Sequence, residues 1–171
     1  LEQRVADRTA RLDQARADHE RALAIKTELL GPDHLSLAST LTSLGIVALM
    51  QGQLDQARAH QERALAIFEA ALGPDHPDLA TALTSLGVVA QEGGKLDQAR
   101  AHYERALALA EKALGPDHPD LATTLAALGD VTQAEGTLDR ARALSRRALA
   151  ITEKALGPDH PDLAVPLTTL G

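Results

Sequence analysis

Apolar residues recur three or four positions apart over most of this chain, and glycine and proline interrupt the recurrence at regular points. Such spacing is typical of amphipathic α-helices, and the interruptions mark their ends. Residues 1–30 contain neither glycine nor proline, so they are predicted to form one long helix. Beyond it, the pattern predicts helices at 35–50, 54–72, 77–92, 96–114, 119–134 and 138–156, with a further helix from Pro161 to Gly171.

The turns between the predicted helices repeat the same residues. In the Gly-Pro-Asp sequence at 73–75, glycine suits the position after a helix, proline cannot continue it, and Asp75 is expected to cap the next one. Pro77 is expected in the first turn of that helix, with Asp78 near its positive end. In the first unit Leu35 and Ser36 replace this pair, so we expect that helix start to be the least well specified.

The tetrad Gly-Pro-Asp-His recurs every 42 residues, and residues 73–114 and 115–156 are identical at 28 of 42 aligned positions. A fixed period of this length is typical of solenoids, in which one supersecondary unit stacks on its copies. We therefore predict an all-α solenoid of antiparallel helix pairs, each with a helix A and a helix B. Its parts are a long helix at 1–30 (a linker or the helix B of an incomplete repeat), units at 33–72, 75–114 and 117–156, and a truncated helix A at 159–171.

Every predicted helix A contains Leu-x-x-Leu-Gly, which places Gly45, Gly87 and Gly129 inside helices. Glycine in a helix costs about 1 kcal/mol relative to alanine, so a packing reason is expected. We predict that helix B approaches each of these glycines closely.

These residues resemble the tetratricopeptide repeat, and the long period resembles the kinesin light chain type of that repeat. The residues of the second unit that carry the resemblance are Leu83, Leu86, Gly87, Ala90, Ala99, Tyr103 and Ala106. The resemblance covers residues 12–171. One departure lies in helix B, where His19, Gln61 and Ser145 stand at the position of Tyr103.

The resemblance implies a right-handed superhelix in which helix A lines a concave groove that binds peptides. The groove positions that it implies are Thr42, Ser43, Ile46, Leu49, Met50, Thr84, Ser85, Val88, Gln91, Ala126, Asp130 and Gln133. These side chains are mostly small and neutral. No predicted helix A contains lysine or arginine, which disfavours a peptide carboxylate as the ligand.

Composition narrows the possible functions. Phe68 and Tyr103 are the only aromatic residues, so the core must consist of leucine, alanine, valine and isoleucine. The absence of cysteine excludes disulfides and thiolate chemistry, and it agrees with a cytoplasmic location, which we expect. A formal charge of −7 argues against nucleic acid as a partner. No apolar stretch reaches the roughly 20 residues of a membrane span, so no membrane partner is expected.

Histidine recurs beside aspartate once per repeat, at His34, His76, His118 and His160, and raises the possibility of a metal site. Equivalent residues of stacked helices lie about 8–10 Å apart, too far to share one zinc ion. We therefore expect these histidines to cap helices or lie on loop surfaces. The aspartates suit helix starts, and no phosphate loop or nucleophile elbow is present. The chain is accordingly predicted to be non-enzymatic and to need no cofactor.

The expected function is a scaffold that binds a protein or peptide on its helix A face. The alternative is a self-assembly module that stacks head to tail through incomplete terminal repeats. Residues 1–30 would supply a helix B without its helix A, and residues 161–171 would supply the leucines of a helix A without its helix B, namely Leu163, Leu167 and Leu170.

Overall fold

The computed structural model describes residues 2–157, and this range contains seven α-helices and no strand, which confirms the all-α prediction. The chain divides into two compact units, residues 1–89 and 90–171, with the boundary inside the fourth helix. The predicted helix at 161–171, with His160, lies outside the described residues. The helices are α1 (Glu2–Leu30), α2 (Leu35–Met50), α3 (Leu54–Leu72), α4 (Leu79–Glu92), α5 (Leu96–Leu114), α6 (Leu121–Ala134) and α7 (Leu138–Leu156).

In the first unit, α2 packs against both α1 and α3. Leu37 and Leu41 of α2 are fully buried against Ala64 and Ile67 of α3, and Leu23 of α1 packs on the same cluster. Each buried leucine contributes about 1.5–3 kcal/mol, and the alanine lets the two helices come close. The core is therefore built from leucine and alanine, as the composition predicts.

In the second unit, α6 packs against α5 and α7. Leu121, Leu125 and Leu128 form the buried side of α6, and Tyr103 of α5 is the largest fully buried side chain. In α5 and α7, alanine recurs among the buried residues, at Ala99, Ala106, Ala141 and Ala148. Helix A thus supplies most of the buried leucines, and helix B supplies most of the buried alanines together with Tyr103.

Two of the glycines in helix A lie where helix B approaches most closely, as predicted. A Cβ atom on Gly45 would lie 2.4 Å from Nε2 and 2.9 Å from Cγ of the buried Gln61. A Cβ atom on Gly129 would lie 3.1 Å from Oγ of Ser145 and 3.6 Å from the carbonyl oxygen of Ala141. The missing side chain at these glycines therefore makes room for the partner helix.

Every helix B has the bounds that the sequence predicts, because glycine fixes both of its ends. Gly73 follows α3 with φ of 89°, and its N–H donates to the carbonyl oxygen of Glu69 at 3.0 Å. Before α3, Gly52 has φ of 74°, which lets the N–H of Gln53 reach the carbonyl oxygen of Ala48 at 2.8 Å. Both positive φ angles favour glycine over other residues.

The predicted starts of two helices are wrong by two residues. Helix α4 begins at Leu79 and α6 at Leu121, not at residues 77 and 119. Residues 77–78 form a turn, because the N–H of Leu79 donates to the carbonyl oxygen of His76, three residues back, at 3.2 Å. The helical bond to the residue four positions back starts later. Asp75 therefore does not occupy the capping position next to the helix.

Histidine caps the start of α2 and bonds the turns that precede α4 and α6, which agrees with its expected role in caps or loops. In each loop the Nδ1 atom accepts the backbone N–H two residues further on: His34 from Ser36 at 3.2 Å, His76 from Asp78 at 3.3 Å and His118 from Asp120 at 3.3 Å. The expectation that the first helix A has the least well specified start is wrong. Helix α2 begins at the predicted residue, with His34 as its N-cap.

Candidate interaction surface

The solvent-facing side of α2 is partly apolar. Ile46 is 41% exposed and Met50 is 50% exposed, and the two lie one helical turn apart. Ser39 and Ser43 continue this side of the helix toward its start, and each hydroxyl donates to a backbone carbonyl oxygen within α2. This face therefore offers two uncovered apolar side chains next to hydroxyl groups that are already bonded.

The other two predicted positions on α2 lie deeper. Thr42 is only 9% exposed, and its hydroxyl donates to the carbonyl oxygen of Ala38 at 2.9 Å. Leu49 is half-buried and packs against the cluster formed by Ala48, Ala57 and Val89. We therefore remove Thr42 from the candidate surface and treat Leu49 as its edge.

The predicted positions on α4 and α6 are half-buried or exposed. Within the first unit, Thr84, Ser85 and Val88 of α4 are half-buried. Within the second unit, Ala126 of α6 is half-buried, while Asp130 and Gln133 are exposed. The candidate surface of each unit is therefore mostly neutral, and Asp130 adds a negative charge to that of the second unit.

Gln91, at the end of α4, has a structural partner. Its Oε1 atom accepts a hydrogen bond from the hydroxyl of Tyr103 at 3.1 Å. Burial raises the pKa of Tyr103, and the carboxylates of Asp130 and Glu92 raise it further. The hydroxyl therefore stays protonated and holds α5 against the last turn of α4.

Positive charge is scarce on helix A. The sequences of α2, α4 and α6 contain no lysine or arginine. Lys26 reaches α2 from α1, but its Nζ donates to the carbonyl oxygen of Ser36 at 3.1 Å and to the hydroxyl of Thr40 at 2.7 Å. These contacts hold the amine at the side of α2, so the exposed face of this helix has no cationic group of its own.

Sequence reasoning missed three exposed positions on helix A: Ser39, Thr81 and Thr123. They lie four residues before Ser43, Ser85 and Ala127 in the three copies, on the same side of each helix. Extending the spacing by one more turn toward the start of each helix would have found them.

The histidine loops hold pairs and not clusters. Nδ1 of His76 lies 3.7 Å from Oδ2 of Asp78, and the copy at His118 and Asp120 has the same separation within 0.1 Å. Over residues 2–157, no group of three or more histidine, aspartate or glutamate side chains is placed to hold a metal ion. None of the helices in this range is long and apolar enough to cross a membrane.

Comparison with known families and structures agrees with this geometry. A tetratricopeptide repeat family model matches residues 6–70, 49–112 and 85–136, and a second one matches residues 121–162. No curated protein matches the chain significantly.

Several solved structures have a similar fold. BtubC (BKLC) from P. vanneervenii has a TM-score of 0.84 at 22% sequence identity, over 96% of this chain and 65% of that one. A kinesin light chain-type protein from Podosopora anserina with nearly identical TPR-like repeats has a TM-score of 0.78 at 24% identity, over 98% of this chain and 79% of that one. The chain thus spans less than two thirds of the length of BtubC.

Proposed function

Because the chain belongs to the tetratricopeptide repeat family, we propose that it is a non-enzymatic scaffold that binds a peptide or a neighbouring domain on its helix A faces. Repeats of this family generally mediate contacts between proteins. Binding of this kind requires no cofactor and no catalytic group. A cytoplasmic location, which agrees with the absence of cysteine, belongs to the same proposal.

The observation that carries the proposal is the exposed apolar pair on α2. Ile46 and Met50 leave about half of their surface in water, while Leu37, Leu41 and Leu44 of the same helix are buried. Burying such side chains against a ligand contributes about 25 cal/mol per Å² of apolar surface. The small side chains of Ser39 and Ser43 leave room for the backbone of an extended peptide. Because Ile46 and Met50 are apolar, the ligand that suits this face carries a large apolar side chain.

The proposal is tested by selecting peptides from a random display library on the intact chain. Ile46→Arg and the pair Thr84→Arg with Val88→Arg place charge and bulk on the helix A faces, so each should weaken the selected peptides by about tenfold or more. Glu62→Arg on α3 is the matched control, because it changes an exposed residue of helix B. Peptides that bind all three variants as well as the unchanged chain would rule out the helix A faces.

A second candidate function, self-assembly through the array ends, is favoured by the exposed side of α1. Ile25 is 48% exposed, whereas its equivalents Ile67, Leu109 and Ile151 are 4%, 7% and 3% exposed. Ile67 is covered by helix A of its own repeat, since it packs with Leu37 and Leu41 of α2. A helix A from a second molecule would cover Ile25 in the same way.

Light scattering over a range of protein concentrations tests this second function. Reversible association that is abolished by Ile25→Glu but not by Ile46→Arg would support it. A strict monomer at high concentration would exclude it, and would leave the helix A proposal unaffected.

A further inference from the structure

Helix α7 is basic, although the chain as a whole has a net charge of −7. It contains five basic and two acidic residues, whereas the equivalent helix α5 contains three of each. The two helices have the same length and occupy the same place in consecutive repeats. The positive charge of α7 is therefore a property of this copy and not of the repeat.

Most of the excess arises from a reversal of charge at one position, and Arg140 in place of the neutral Gln98 adds the rest. In α1, α3 and α5, an arginine is followed four residues later by a glutamate, but in α7 Arg142 is followed by Arg146. Where the glutamate is present it can pair with the arginine: Arg16 and Glu20 lie 2.8 Å apart, and Arg100 and Glu104 lie 3.9 Å apart. In α7 this pair is replaced by two like charges, which repel at this spacing.

Neither arginine is neutralised elsewhere in the part of the chain that the structure describes. Both are exposed, and neither forms an ion pair or hydrogen bond with any residue between 2 and 157. The other two arginines of this helix do have partners, since Arg140 pairs with Glu104 and Arg147 with Glu111 of α5. Arg142 and Arg146 are thus two guanidinium groups, one turn apart, that have no counter-charge among residues 2–157.

We propose that Arg142 and Arg146 form a docking site for an acidic helical segment of a partner protein, with two carboxylates one turn apart. Guanidinium groups bind carboxylates in a bidentate geometry that an ammonium group cannot offer. The contact between α5 and α7 already pairs guanidinium with carboxylate groups, because two glutamates of α5 meet two arginines of α7. The site lies on helix B, so it is separate from the proposed peptide-binding face of helix A.

The test uses a fluorescein-labelled, alanine-based helical peptide with two glutamates spaced i, i+4, and a second peptide with glutamine at both positions. Fluorescence anisotropy with the intact chain should give at least about tenfold tighter binding for the glutamate peptide. Raising the salt concentration should weaken the binding, because the site is exposed. Equal binding of the two peptides, or no binding of either, would overturn the proposal.

Arg146→Glu is the informative variant, since it restores the residue type of the other copies and should raise the thermal midpoint while abolishing peptide binding. Arg11→Glu, on the exposed side of α1, changes the net charge equally and should leave the binding unchanged. If Arg146→Glu and Arg11→Glu weaken the binding of the glutamate peptide equally, the net charge of the chain explains the binding, and a specific site at Arg142 and Arg146 is ruled out. A single-stranded oligonucleotide that binds α7 more tightly than the glutamate peptide would also overturn it, in favour of a general polyanion surface.

Discussion

The pair formed by Gly45 and Gln61 determines how closely α2 and α3 can approach. Gln61 is fully buried, and its Nε2 donates to the carbonyl oxygen of Thr42 at 3.0 Å. Gly45→Ala would place a methyl group within 2.4 Å of that amide nitrogen, so the amide has to move. The helix gains roughly 1 kcal/mol from alanine, and overpacking costs about 1–3 kcal/mol. We expect a net loss in the free energy of unfolding, measured by urea denaturation.

A double-mutant cycle separates this clash from other effects of the substitution. Gly45→Ala combined with Gln61→Ala should lose less stability than the sum of the two single variants, because the second change removes the obstructing amide. Gly129→Ala is the control, since its Cβ atom would approach no atom closer than Oγ of Ser145, at 3.1 Å. Strict additivity in the cycle would contradict this account.

Ser145 of α7 is a buried polar residue without a bonding partner in the described structure. It is 1% exposed, and its Oγ atom forms no hydrogen bond there. An unsatisfied buried hydroxyl costs about 1–3 kcal/mol, so Ser145→Ala should raise the free energy of unfolding by about 1 kcal/mol. Thr152→Val is the matched control, because its buried hydroxyl donates to Ala148 at 2.9 Å and its loss should not stabilise the chain. Destabilisation by Ser145→Ala would show that the hydroxyl is satisfied.

At the level of helices, the sequence predicts the helix ends correctly where a glycine with positive φ lies beside the helix. It does not predict them correctly where proline precedes a helix. The ends of α3, α5 and α7 follow from the glycines beside them, and all six were predicted to the residue. The starts of α4 and α6 were not, because proline is compatible with both a first helical turn and a preceding turn. The backbone bonds from Leu79 to His76 and from Leu121 to His118 show that the prolines lie in a preceding turn and not in the first helical turn.

The interaction surfaces were predictable only in part, for a similar reason. Ile46 and Met50, which the family resemblance implies as groove positions, are exposed, and their role in binding stays a prediction. The burial of Thr42 depends on how α2 is covered by its neighbours. Likewise, whether Arg142 and Arg146 find partners within residues 2–157 depends on which carboxylates of other helices lie within reach. Spacing within one helix does not give that information.

The contact between α4 and α5 in the second unit should fail at alkaline pH, because it depends on the protonated hydroxyl of Tyr103. The pKa of Tyr103 is raised in the folded chain above the value of about 10 that it has when unfolded. The unfolded chain therefore loses this proton first, so the contribution to stability is complete below pH 10 and falls as the pH rises further. Unfolding midpoints between pH 9 and about 11.5 should decline more steeply for the unchanged chain than for Tyr103→Phe.

The ionisation itself can be followed directly. The chain contains one tyrosine and no tryptophan, so absorbance at 295 nm reports on Tyr103 alone. In the native chain the absorbance should stay flat through pH 10 and rise at a higher pH, whereas in concentrated urea it should rise near pH 10. A native titration that coincides with the one in urea would mean that Tyr103 is solvated.

For the whole molecule, the 42-residue period implies that one complete repeat can be removed without changing any remaining joint. Deleting residues 73–114 connects Leu72 to Gly115, and the sequence across the junction, Ala-Leu-Gly-Pro-Asp-His-Pro-Asp-Leu, is unchanged. The stability of a repeat array is approximately a sum over repeats and their neighbour contacts. The shortened chain should therefore keep its helical ellipticity per residue at 222 nm and unfold cooperatively at a lower urea concentration.

Deleting half a repeat provides the matched comparison. Removal of residues 93–114 eliminates α5 with its preceding turn, so that α4 is followed by α6 and two helices of type A succeed each other. Both carry a leucine-rich side that needs the small residues of a helix B, so this chain should lose cooperativity although it is longer than the other deletion. If both deletions fold equally well, the helix pair is not the stable unit. If neither folds, the stability resides in contacts specific to the second repeat, among which the Tyr103 contact is the first to test.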